Sequence, residues 1–193
     1  MGLEDIAMMR ALPGCSVLYP SDAYSAYYLA REAFNNLGIT YVRTTREPTP
    51  VLYNPQIKFP IGGCQLHGPS DGDKVTIVAA GITVFEALKA QENLKTQGIL
   101  TRVIDLYSIR PLDQKTLIAS VKQTSGNLVV VEDHRPEGGI GEAVLSALVG
   151  IALNFKHLAV RGISHSATPA QELQISNLDA SGIEQAVKQL VES

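Results

Sequence analysis

From Lys74 onward the chain alternates short β-branched apolar runs with longer amphipathic stretches, and this alternation limits the fold more than any other feature. Residues 75–80 read as a strand. Thr83 caps a helix over 84–97, and Gly98 ends it. Residues 100–106 (LTRVIDL) form the next strand, and Asp113 opens a helix to about residue 123. Residues 128–132 (LVVVE) are a third strand, followed by a helix over about 140–153. A strand over 155–160 and a last helix over 182–191 complete the series. Strands joined by helical crossovers pair in parallel, because a right-twisted strand feeding a right-handed helix returns to the same sheet in only one hand. The expectation is an α/β fold with a largely parallel sheet covered on both faces.

The first 47 residues read as a smaller, partial α/β unit attached in front of that domain and not stable alone. Leu3, Ile6, Ala7 and Leu12 recur at roughly helical spacing until Pro13-Gly14 stops them, so the chain is expected to begin in the middle of something. Residues 15–19 (CSVLY) read as a buried strand. Ser21 or Asp22 then caps a helix to about Leu37, whose apolar side is expected to carry Tyr27, Ala30, Phe34 and Leu37. Residues 39–44 (ITYVRT) are a second strand. Two strands cannot form a stable sheet alone and should be the end of a larger one.

Between these parts lies a segment rich in breakers: Pro48, Pro50, Pro55, Pro60 and Pro69, with Gly62, Gly63, Gly68 and Gly72. Its apolar residues, Val51, Leu52, Ile57, Phe59 and Ile61, suggest a linker packed along the surface. Hydrophobic residues make up 45% of the chain and charged ones 18%, enough apolar material for a true core. Net charge is −3 with scattered Lys and Arg, which argues against a nucleic-acid partner. No apolar run approaches the ~20 residues of a membrane span, and no signal-peptide pattern opens the chain. The two cysteines, Cys15 and Cys64, have neither metal nor disulfide spacing, as in a reducing cytoplasm.

Several motifs carry possible chemistry, each with a plain structural alternative. Gly138-Gly139-Ile140-Gly141 between a strand and a helix could cradle a phosphate. It lacks the dinucleotide spacing, however, and Glu137 and Glu142 flank it, so a tight turn is the better reading. Glu132-Asp133-His134 ends a strand where α/β proteins place chemistry. With no evident nucleophile or metal ligand nearby, it reads as a hydrogen-bonded turn or a contact to another subunit. Asp71-Gly72-Asp73 follows no strand and reads as a turn. His165 lies in a polar loop. Arg43 and Arg46 sit at the carboxyl end of a strand, where a guanidinium can take an anionic ligand or simply face solvent.

Six segments together resemble the transketolase family. They are Leu3-Glu4-Asp5-Ile6-Ala7 with Met8 and Arg10; Tyr19-Pro20-Ser21-Asp22; Arg43-Thr44-Thr45-Arg46; Val103-Ile104-Asp105 with Ile109-Arg110-Pro111-Leu112-Asp113; Val131-Glu132-Asp133-His134; and residues 137–144 (EGGIGEAV). The resemblance implies that residues 1–47 are the end of a pyrimidine-binding domain, 48–72 a linker, and 73–193 a three-layer, Rossmann-like transketolase C-terminal domain.

The family transfers a two-carbon ketol unit between ketose and aldose phosphates. It uses thiamine diphosphate with a divalent metal, magnesium or calcium. By resemblance, Arg46 matches the family's substrate-phosphate arginine, with Arg43 a weaker candidate beside it. The family's catalytic glutamate, metal motif and substrate histidines have no match in this chain, so no catalytic, cofactor-binding or metal-binding residue is assigned. Neither cofactor nor turnover is expected of the chain alone. Expected partners are phosphosugars and a second copy of the chain or an upstream portion of the enzyme, in the cytoplasm and in the pentose phosphate pathway.

The sequence also departs from the family pattern. Glu47-Pro48 reverses the usual order, while His165 and Ala167-Thr168 replace a basic residue and a Gly-Lys pair. Alternatives are a 2-oxoacid dehydrogenase β subunit, a deoxyxylulose-phosphate synthase, or a non-catalytic assembly or regulatory module.

Overall fold

A computed structural model describes residues 2–162 and 167–192. In chain order the elements are α1 (Asp5–Ala11), β1 (Ser16–Leu18), α2 (Ala23–Asn35), β2 (Thr40–Val42), β3 (Gln65–His67), β4 (Val75–Ala79), α3 (Thr83–Thr96) and β5 (Thr101–Asp105). They continue with β6 (Ser108–Arg110), α4 (Gln114–Gln123), β7 (Asn127–Val131), α5 (Ile140–Ala147), β8 (Asn154–Leu158), α6 (Pro169–Ile175) and α7 (Ala180–Val191).

Five strands form the main sheet in the order β3-β5-β4-β7-β8, parallel except for β3 at its edge. Alternate residues along each strand face opposite sides, and both sides are apolar. Val75, Ile77, Val129 and Val131 meet Val84, Leu94, Ile183 and Val187 of α3 and α7. Val78, Leu128 and Val130 meet Leu117 and Val121 of α4, and Ile140 and Val144 of α5. Helices therefore cover both faces, as a parallel sheet requires. Each fully buried Val, Leu or Ile contributes about 1.5–3 kcal/mol through burial. The α/β, largely parallel architecture is the one the strand–helix alternation specifies.

The N-terminal strands form a second sheet, order β2-β1-β6, with β1 parallel to β2 and antiparallel to β6. The sequence reading did not identify β6, a short segment against Pro111. It is the third strand that the N-terminal pair needs, and it comes from the later part of the chain. Ile6, Val17 and Tyr19 share one core with Val78, Ile104 and Val130.

Several expectations are corrected. The stripe of Tyr27, Ala30, Phe34 and Leu37 does not face the core: Tyr27 is 58% exposed, Phe34 90% and Leu37 100%. α2 instead buries Ser25 and Leu29 and packs Tyr24 and Tyr28 toward Phe59. Spacing reveals an apolar stripe but not what covers it, and this helix has two. The breaker-rich segment contains β3 and buries Tyr53 and Phe59. α5 stops at Ala147, six residues short of the expected end, ahead of Gly150 at φ 87°. α6, opened by a Thr168–Gln171 capping box and Pro169, was not anticipated. The caps at Asp22 and Asp113 are where the sequence puts them: Ser25 N–H donates to Asp22 Oδ1 at 2.8 Å, and Thr116 N–H donates to Asp113 Oδ1 at 2.9 Å.

Candidate functional site

Parallel strands end at their carboxyl edge in loops that must turn back into helices, and ligands collect in the crevices there. In this chain the loops after β2, β4, β7 and β8 meet around a cavity of about 520 Å³. Arg46 and Glu47 come from the first, Ile82 from the second, Asp133 from the third and Arg161 from the fourth. Leu173 and Ile175 of α6 supply an apolar wall. The volume suits a small organic ligand.

Arg43 and Arg46 have different environments. Arg46 is exposed and makes no hydrogen bond or ion pair among the described residues. Arg43 is only 2% exposed. It donates to Asp133 Oδ1 at 3.0 Å and to the Asp133 carbonyl at 3.0 Å. Its Nε lies 3.2 Å from Asp5 Oδ2, and its guanidinium carbon stands 4.6 Å over the Tyr19 ring. Burial by itself would lower the Arg43 pKa. The charge of Asp133, then Tyr19 and Asp5, outweighs that and raises it. Burial pushes the Asp133 carboxyl up, and the adjacent guanidinium opposes the shift. Tyr19 donates its hydroxyl to Asp133 Oδ2 at 2.9 Å, and burial raises its pKa well above the ordinary value. Arg43, which itself lines the cavity, thus ties β2, α1 and the end of β7 together in its wall.

The glycine turn is filled from within. Glu132 accepts from Ile140 N–H at 2.6 Å and Gly141 N–H at 3.0 Å, and its Oε1 lies 2.5 Å from His157 Nε2. The helix N-terminus that might have held a phosphate therefore already holds a carboxylate of the chain itself. A Cβ on Gly139 would come within 2.2 Å of Glu132 Oε2, and one on Gly141 within 2.3 Å of His157 Nε2. His134 is buried: Nδ1 donates to the Arg135 carbonyl at 2.6 Å, and Nε2 accepts from Ala7 N–H at 3.4 Å. Asp73 caps a turn by accepting from Ser70 N–H at 2.8 Å, and it pairs with Arg102 at 2.8 Å. His165 lies outside the described residues.

A second buried polar cluster escaped sequence reasoning. Asp105 Oδ2 accepts from Ser21 at 2.6 Å and from Tyr53 at 2.7 Å, and the Tyr53 hydroxyl lies 2.9 Å from His67 Nε2. Burial raises the Asp105 carboxyl to about 7, against the pull of those two hydrogen bonds. Burial lowers His67. Asp22, which caps α2, also accepts from Leu52 and Tyr53 N–H at 2.8 and 2.9 Å. The cluster pins residues 52–53 to both sheets. Arg161 was also missed, although the strand-end argument applied to Arg43 and Arg46 fits it equally well.

A family model described as "Transketolase, C-terminal domain" matches residues 65–186, and one described as "Transketolase, pyrimidine binding domain" matches residues 1–51. The chain belongs to the transketolase family. Transketolase-like protein 1 of Bos taurus is 46% identical over 193 residues, covering 99% of this chain and 32% of the relative. Transketolase of Homo sapiens is 42% identical over 192 residues, covering 99% and 31%. The chain spans about a third of the length of these transketolase relatives. A split-gene transketolase solved as an inactive beta4 tetramer superposes with a TM-score of 0.93 at 32% identity, covering 100% of this chain and 63% of that one. Transketolase of Campylobacter jejuni superposes at 0.79 with 16% identity, a likeness of fold alone.

Within this transketolase portion the residues do not fit a diphosphate–metal site. No group of three His, Cys, Asp or Glu that could hold a metal ion occurs among the described residues, and Glu132 fills the glycine-rich helix N-terminus. No described helix is long and apolar enough to cross a membrane.

Proposed function

We propose that this chain is the C-terminal part of a thiamine-diphosphate-dependent transketolase and that its own contribution to the reaction is to hold the substrate phosphate with Arg46. The supporting observation is an exposed guanidinium, unpartnered among the described residues, that lines a cavity at the carboxyl edge of parallel strands. A planar fork of N–H donors matches a phosphate in both charge and shape. In this reading the whole enzyme moves a two-carbon ketol unit between ketose and aldose phosphates. Magnesium or calcium accompanies the cofactor, and both are held by other parts of the enzyme. It works in the cytoplasm, within the interconversion of pentose phosphates. Residues 1–47 serve as the end of the pyrimidine-binding domain, 48–72 as a connecting segment whose β3 joins the main sheet, and 73–193 as the C-terminal domain. Arg43, which lines the same cavity but is paired with Asp133 and Asp5, holds the wall rather than acting as a second ligand.

The same reading assigns the exposed face of α2. Phe34 and Leu37, with the unpaired outer edge of β2, form a surface that the upstream portion of the enzyme covers, in one chain or in an assembly. The relatives are about three times as long as this chain, which leaves material of the right family to cover it.

In the assembled enzyme, Arg46→Ala should raise KM for phosphorylated donors and acceptors about tenfold or more, since a charged hydrogen bond contributes ~1.5–3 kcal/mol. Unphosphorylated substrates should be nearly unaffected. An equal loss for both classes would make Arg46 a structural residue. Calorimetric titration of this chain alone with thiamine diphosphate and magnesium, beside a coupled assay with xylulose and ribose phosphates, should show neither binding nor turnover. Micromolar binding would overturn the assignment of the cofactor to other parts.

A further inference from the structure

The chain has eight arginines, and six of them are engaged. Arg43 and Arg102 pair with buried carboxylates, and Arg135 pairs with Glu4. Arg10 and Arg110 donate to backbone carbonyls, and Arg31 lies over the Tyr27 ring. The remaining two, Arg46 and Arg161, make no hydrogen bond or ion pair among the described residues, and both line the same cavity. They reach it from the two different sheets, Arg46 past the end of β2 and Arg161 past the end of β8.

We propose that Arg161 and Arg46 together form a two-arginine subsite for the phosphate of a phosphosugar, which rests on the reading of Arg46 as a phosphate ligand. A phosphate monoester dianion carries nearly two charges and three acceptor oxygens, so one guanidinium leaves it half satisfied. Asp133 on the cavity wall does not oppose binding, because Arg43 neutralises it at 3.0 Å. Glu47 and Glu172 also line the cavity, and their side chains have no partner among the described residues. Free carboxylates would repel a bare anion, but they accept hydrogen bonds from hydroxyl groups. Two unpaired arginines and two unpaired carboxylates among the described residues of one cavity lining suit a phosphate carried on a polyhydroxylated chain better than a simple anion. Arg161 thereby makes the C-terminal domain a contributor to substrate recognition rather than only a scaffold. Because the two arginines belong to different sheets, the subsite depends on both being docked as they are here.

The test is calorimetric titration of the 193-residue chain with ribose 5-phosphate, ribose and inorganic phosphate. Arg161→Ala and Arg46→Ala should each weaken ribose 5-phosphate binding about tenfold, one charged hydrogen bond's worth. Arg161→Lys should restore part of the loss, thermal stability should stay unchanged in all three variants, and inorganic phosphate should bind more weakly than the phosphosugar. Undiminished binding by Arg161→Ala overturns the inference, and the reading of Arg46 survives if Arg46→Ala still loses affinity. Loss of neither, or no binding by the unmodified chain at ~10 mM ligand, sinks both. In the assembled enzyme, a higher KM for phosphorylated substrates at constant kcat in Arg161→Ala assigns the subsite to substrate. An unchanged KM despite lost binding assigns it to a phosphosugar effector.

Discussion

Replacing Arg43 by alanine separates a structural arginine from a binding one. The guanidinium donates twice to Asp133, at 3.0 Å each, stands 3.2 Å from Asp5, and covers the Tyr19 ring at 4.6 Å. Removing it leaves Asp133 buried with the Tyr19 hydroxyl as its one remaining side-chain partner among the described residues. Breaking a buried pair in this way costs about 3–5 kcal/mol, because the remaining charge keeps its desolvation penalty and loses its partner. In a chain of this length each kcal/mol moves the Tm by roughly 2–4 °C, so Arg43→Ala should unfold on the order of 10 °C lower. Thermal unfolding followed by far-ultraviolet circular dichroism reads this directly. The deficit should shrink as pH falls, since burial already raises the Asp133 carboxyl and protonating it removes the unpaired charge. The double change Arg43→Met with Asp133→Asn should recover much of the loss, because neither partner is then a stranded ion. Arg46→Ala, exposed and unpaired, should stay within about 0.5 kcal/mol of the unmodified chain. A stability loss below about 1 kcal/mol for Arg43→Ala, together with lost phosphosugar binding, would refute the structural assignment and make Arg43 a ligand.

Three other outcomes are expected. Asp105, raised to about 7 by burial, stays protonated in the folded chain while its unfolded counterpart ionises. Stability should therefore fall as pH rises between about 4 and 7, by up to about 4 kcal/mol, and Asp105→Asn should remove that slope. Urea midpoints at several pH values decide this, and parallel profiles for the two proteins would count against it. Gly141→Ala brings a methyl within 2.3 Å of His157 Nε2 and should lower stability by about 1–3 kcal/mol, seen as a shifted urea midpoint. Cys64, pushed up to about 12 by burial and then by Asp113, should react with iodoacetamide at pH 8 at least about tenfold more slowly than an exposed thiol, measured by mass spectrometry.

The amino-acid sequence alone determined the architecture and the family. The runs that became β4, β5 and β7 carry buried apolar residues at adjacent positions (Ile77-Val78, Val103-Ile104 and 128–131) because the sheet is covered on both faces, so each reads as a strand without knowledge of its neighbours. The caps Asp22 and Asp113 are legible because a cap bonds backbone three residues away, within the reach of local sequence. Tertiary structure alone decided the rest, which depends on partners distant in the chain. β3 and β6 are three residues each, β3 within the proline- and glycine-rich segment and β6 directly before Pro111, and they exist as strands only because β5 and β1 supply their hydrogen bonds. The spacing of Tyr27, Phe34 and Leu37 is equally good for a buried or a bare face, and only the packing of Leu29 and Tyr28 against Phe59 shows which face turned inward. Arg43 and Arg46 sit three residues apart in the same kind of strand end. That one is locked between Asp133 and Asp5 while the other lines the same cavity as Arg161 with no partner among the described residues follows from which distant carboxylates the fold brings within reach, and no local pattern encodes that.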